Sequence, residues 1–129
     1  MSGSSSSSKS KSKEPALTDQ EIQQTYVRMQ NDLQALAAKI GELEQEAEEH
    51  GLVLSTLDEV LSEDPDRKCF RLVGGVLVER TVGDVVPSLQ TNRDGIWKVI
   101  ANLTDQYKAK EKDFDSLKKQ FNIRPVEAL

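Results

Sequence analysis

The chain has 129 residues, of which 30% are charged, 36% hydrophobic and 5% aromatic, and its net charge is −5. That length points to one domain, and so polar a composition excludes a thick core while suiting a coiled coil. No apolar run approaches the roughly 20 residues of a membrane span, the N-terminus lacks the apolar stretch of a signal peptide, and the acidic balance argues against a nucleic-acid footprint, which needs a basic face.

The chain opens on a Ser/Lys-rich head. Up to Lys13 it carries three lysines, no acid and no apolar side chain after Met1. Nothing there offsets the entropy of ordering the backbone, so residues 1–16 are expected to be a disordered tail. The lysines suit a solubilising tail, with a weak localisation signal or a substrate-facing tentacle as the alternatives.

A long helix is predicted next, over about residues 18–62. Thr18 and Glu21 have the spacing of a capping box, with Leu17 and Ile22 at the staple positions on either side. Apolar residues then recur in steps of four and three. They place Ile22, Tyr26, Met29, Leu33, Leu36, Ile40, Leu43, Ala47, His50, Leu54, Leu57 and Leu61 on one seam. Pro65 disfavours helical geometry at Asp64 and sets the stop. Gly41 and Gly51 lie off the seam, and each costs the helix about 1 kcal/mol; they read as tolerated defects, with close approach of a neighbour as the alternative. His50 has no second histidine to share a metal, and a polar seam residue that fixes register is its expected role.

The period then changes. From Lys68 to Arg80 the chain reads as a β-hairpin, with Gly74 and Gly75 supplying the positive φ of a two-residue turn. Val73 then faces Val76, Leu72 faces Leu77, and Arg71 faces Val78. Phe70, Leu72 and Leu77 share one face; Cys69, Val73, Val76 and Val78 share the other. The lone Cys69 cannot form an internal disulfide, suits a reducing compartment and reads as a small apolar strand residue.

A second helix follows, over about residues 82–122. Its start lies between Thr81 and Val85, because Pro87 is tolerated near a first turn but kinks a helix begun earlier. Its seam is Val82, Val86, Leu89, Arg93, Ile96, Ile100, Leu103, Tyr107, Lys110, Phe114, Leu117 and Phe121. Arg93 and Lys110 are expected to snorkel. Asn122 tolerates left-handed backbone and suits the end, with Ile123 placed for the accompanying apolar contact. Residues 125–129 form a short tail.

The fold class that follows is mainly α: a long antiparallel two-helix coiled-coil hairpin with one β-hairpin at the connection. Residues 19–61 hold ten acids and two bases, whereas residues 82–121 hold six acids and seven bases. These opposite leanings favour pairing the arms. No phosphate loop, ligand cluster or nucleophile elbow is present, so no enzyme activity, no metal and no cofactor is expected.

Such a chain should not work alone. An isolated hairpin is marginal in water, and one apolar on both faces with two open edges invites aggregation. Pairing with hairpins of other subunits resolves this. Leu52, Val53, Val60, Val85, Trp97 and Val99 widen the apolar stripe near the hairpin and imply a further packing surface. At the far end, a fraying tip that bears aromatics, Met and Leu suits loose binding of varied apolar partners.

The run from Arg67 through Gly74-Gly75 and Glu79-Arg80-Thr81-Val82 to Pro87, set between two heptad arms, resembles the β-type subunits of the eukaryotic prefoldin family. The resemblance spans about residues 18–124, and it makes residues 17–124 a prefoldin β-type domain. It implies a cytoplasmic heterohexamer of two α-type and four β-type subunits, whose hairpins build a double β-barrel platform. It implies ATP-independent capture of unfolded polypeptides, notably actin and tubulin, and delivery to the cytosolic chaperonin. By position, Phe70, Leu72, Val73, Gly74, Gly75, Val76, Leu77 and Val78 would form the subunit interface. Ile22, Tyr26, Met29, Phe114, Leu117, Phe121 and Ile123 would line the client-binding tip. Gly83 is a poor helix former early in the second helix and unsettles its start. A structural coiled-coil adaptor in a prefoldin-like assembly is the alternative reading.

Overall fold

The computed structural model describes residues 17–123. The Ser/Lys-rich head and the C-terminal tail of the sequence reading lie outside the described residues. The elements run α1 (Asp19–Glu63), β1 (Lys68–Val73), β2 (Val76–Thr81) and α2 (Val82–Gln120). The two helices, of 45 and 39 residues, are about 68 and 58 Å long at ~1.5 Å per residue.

Local chemistry sets the ends of both helices. Thr18 Oγ1 accepts from the Glu21 amide at 3.1 Å, and Glu21 Oε1 accepts from the Thr18 amide at 2.9 Å. This is the reciprocal capping box, and it satisfies donors that the first turn leaves unpaired. At the same end of the rod, where α2 finishes, Asn122 adopts φ 55°. The Ile123 amide donates to the Lys118 carbonyl at 2.8 Å, and the Asn122 amide to that of Lys119 at 3.4 Å. Those two bonds make a Schellman stop.

The arms pack along the seams read from the sequence. All twelve α1 seam positions are buried or half-buried, as are eleven of the twelve on α2. Lys110 is the exposed one, and its Nζ reaches Asp32 Oδ2 of the other arm at 4.0 Å. Among the described residues it is the one ion pair that joins the arms. Half-exposed on both sides, it contributes about 0–1 kcal/mol. Gly41 and Gly51 have nothing within 4 Å of where a Cβ would lie, so neither mediates a close approach.

The core thickens at the hairpin end. Leu54, Val82, Val85, Val86 and Leu89 form a buried cluster, with Leu57, Val60, Leu61 and Cys69 packed around it. Val60 and Val85 therefore belong to the chain's own core, not to the further packing surface expected of them. Each lies where the arms converge on the junction, and there the seam is wide enough to take it.

The junction also resolves the start of α2. The Val82 amide donates to the Arg67 carbonyl and the Gly83 amide to the Pro65 carbonyl, each at 2.9 Å. The Asp84 amide donates to Thr81 Oγ1 at 3.2 Å. The first three free amides of α2 are thus satisfied by the preceding turn and the cap. Gly83 keeps this approach close: a Cβ there would sit 3.3 Å from the Pro65 carbonyl oxygen, so the turn would have to give by a few tenths of an ångström. Pro87 lies inside the helix, where its missing N–H would have bonded the Gly83 carbonyl.

Gly83→Leu should therefore force the Pro65–Arg67 turn off the helix end. A loss of about 1–3 kcal/mol is expected, read as an earlier loss of helical ellipticity in chemical denaturation. Unchanged stability would show that the turn is not clamped there.

Candidate functional site

The hairpin is built by its turn. Gly74 and Gly75 have φ of 55° and 83°, the left-handed backbone that glycine reaches without steric cost. The register pairs Val73 with Val76, Leu72 with Leu77, Arg71 with Val78, Phe70 with Glu79, Cys69 with Arg80 and Lys68 with Thr81. Directly opposed residues share a face. Phe70, Leu72 and Leu77 therefore lie together, as the sequence implies.

That face is uncovered. Phe70, Leu72 and Leu77 are 63%, 72% and 67% exposed. Val73 and Val76, on the opposite face beside the turn, are 55% and 62% exposed. Side chains of this size contribute about 1.5–3 kcal/mol each when taken fully out of water. The two strands form a sheet of two, with both outer edges unpaired within the chain. Apolar side chains and free backbone groups thus occur together, the combination that pairs with another chain's strand. Leu52, Val53, Trp97 and Val99 are further exposed apolar side chains, on the hairpin half of the rod.

The distal end differs. The seven tip residues do come together, but inside the seam. Phe114 and Leu117 are buried, and Ile22, Tyr26, Met29, Phe121 and Ile123 are half-buried. The Tyr26 and Phe114 rings pack with centroids 5.0 Å apart at 41°. Lys118 Nζ sits 4.8 Å above the Phe114 ring, a favourable cation–aromatic contact. Phe114 and Leu117 reach a ligand only when the arms part; the other five keep part of their surface in water. What the closed tip shows outward is Leu17 and Val27, 43% and 45% exposed. Val27 lies in a shallow groove with Gln23, Gln24, Arg28, Asn31 and Asp32. A search for seam positions passes over Val27 because it is off the seam. An isolated apolar residue on the polar side of α1 was the available signal.

Elsewhere the chemistry is sparse. His50 Nδ1 donates to the Glu46 carbonyl at 2.9 Å, one turn back along its own helix. Among the described residues, no group of three or more His, Cys, Asp or Glu side chains is placed to hold a metal ion. No helix there is long and apolar enough to cross a membrane.

Comparison with known proteins meets this geometry. A family model described as prefoldin subunit matches residues 20–127. Prefoldin subunit 2 of Homo sapiens is 44% identical over 109 residues, which cover 84% of this chain and 69% of that protein. The Bos taurus protein of the same name matches with the same identity and coverage. A probable prefoldin subunit 2 of Schizosaccharomyces pombe is 47% identical over 108 residues, 83% of this chain and 92% of that protein.

The exposed face should make the lone chain sticky. Leu72→Asp combined with Leu77→Asp is expected to keep the helical circular dichroism. It should reduce binding of an apolar dye and concentration-dependent self-association in sedimentation. Self-association equal to that of the unaltered chain would locate the adhesive surface elsewhere.

Proposed function

The chain belongs to the prefoldin family of chaperone subunits, and from that premise we propose that it serves as a β-type subunit of a cytoplasmic heterohexamer. In that assembly it joins two α-type and further β-type subunits. Its hairpin, Phe70 to Val78, completes a shared closed sheet, and its rod projects from that platform. The observation that carries this reading is the uncovered hairpin face on a chain that otherwise buries its seams. A closed sheet would cover Phe70, Leu72 and Leu77 and pair both strand edges at once.

The distal tip is then the capture surface. Unfolded chains expose apolar patches, and several weak tips holding one chain gain avidity through high effective concentration. Release needs no nucleotide when each contact is weak and a second chaperone competes. Actin and tubulin chains are the proposed clients, and the cytosolic chaperonin the proposed recipient. Leu17 and Val27 offer first contact on the closed tip. Parting the arms would add Tyr26, Met29, Phe114, Leu117 and Phe121, and helix ends are where opening costs least.

Two outcomes test this. Reconstituted with its sister subunits, the chain should give a hexamer by light scattering that slows aggregation of denatured actin. The Leu72→Asp, Leu77→Asp chain should give none. A normal hexamer from that variant would reject the platform role. Removing the stretches Ile22 to Met29 and Leu117 to Ile123 together should spare assembly and abolish capture. Capture that survives would move the client surface away from the tip.

A further inference from the structure

The two faces of the hairpin meet different surroundings. Phe70, Leu72 and Leu77 face outward. Cys69, Arg71 and Val78 are half-buried, and Cys69 packs on the junction core. Arg71 reaches further. It lines a groove between the arms with Leu43, Glu46 and His50 of α1 and Ile96 and Val99 of α2. Glu46 precedes the end of α1 at Glu63 by about 25 Å of helix. Strand β1 must therefore double back along the rod.

Hydrophobicity alone does not choose the face that turns outward, because Val73 and Val76 make the other face apolar too. Charge does. Arg71 stands directly opposite Val78. Turned into the interior of a closed sheet, its guanidinium would lose water and face an apolar partner, a strongly unfavourable placement. Turned toward the rod, it keeps solvent and shares a groove with the Glu46 carboxylate. The outward face carries no such burden. Its charged residues, Lys68 and Glu79, pair with each other at 3.7 Å, away from the turn where Leu72 and Leu77 sit.

We propose that Arg71 is a latch that holds the Cys69–Arg71–Val78 face of the hairpin against the inter-arm groove and so determines that Phe70, Leu72 and Leu77 are the face offered to sister subunits. This rests on the assembly role proposed above and adds which face performs it. Arg71 acts as a positioning residue: it sets the angle between hairpin and rod from a groove that Glu46 also lines, the two charges acting on each other across more than the 4 Å of a direct ion pair.

Hydrogen exchange on the full chain tests it. Arg71→Glu sets two carboxylates in one groove and should speed amide exchange in β1 and β2 about three-fold, the size of a solvent-exposed ion pair. Exchange in α1 and α2 should not move. Arg71→Glu combined with Glu46→Arg restores opposite charges and should return the strands to the unaltered rate. Unchanged strand exchange in the single variant, or no recovery in the double one, overturns the latch. Native mass spectrometry with the sister subunits separates the two ideas. Failure of the unaltered chain to assemble would sink the assembly role, while the exchange rates still judge the latch.

Discussion

The junction at Val82 holds the molecule in its shape. Val82 is 1% exposed and is the largest fully buried side chain. Its amide and that of Gly83 are tied to carbonyls of the turn that ends α1. One residue thus begins α2, closes the core beneath it and anchors the chain leaving β2. Without those two bonds, the N-terminus of α2 would carry unpaired donors beside an apolar cluster, which is costly. The direction of both arms and the fold-back of the hairpin depend on this point.

From the junction outward, apolar contact does most of the work and charge little. The arms differ in acidity, yet a single ion pair among the described residues joins them, and its side chains stay in water. The charge difference therefore favours pairing only diffusely, because the strongly acidic first arm meets a nearly neutral second arm and not another acidic one. Seam residues decide register. His50, half-buried on the seam, spends its Nδ1 hydrogen on its own helix, so any register role must come from its size and its remaining nitrogen.

Apolar exposure falls at the two ends of the rod. The hairpin end shows large rigid side chains on a sheet with free edges, a surface for a defined partner. The distal end shows two aliphatic side chains over a closed aromatic pair, a surface for loose contact that widens on opening. The role proposed above, specific assembly with loose client binding, needs these two kinds of surface kept apart. A long rod separates them.

Much of this was legible beforehand. The capping box at Thr18 and Glu21, the stop at Asn122, both seams and the hairpin register each depend on residues a few positions apart, so local spacing carries them. Residue spacing alone was enough to give two arms joined by a glycine-turned hairpin. It took the folded chain to reveal that Val85 is buried with Val60 packed against its cluster, that Gly83 sits under Pro65, that the tip aromatics close on each other, and that Arg71 turns toward the rod. Each of those depends on packing between segments far apart in the chain, and a periodic pattern records which face is apolar without recording what will cover it.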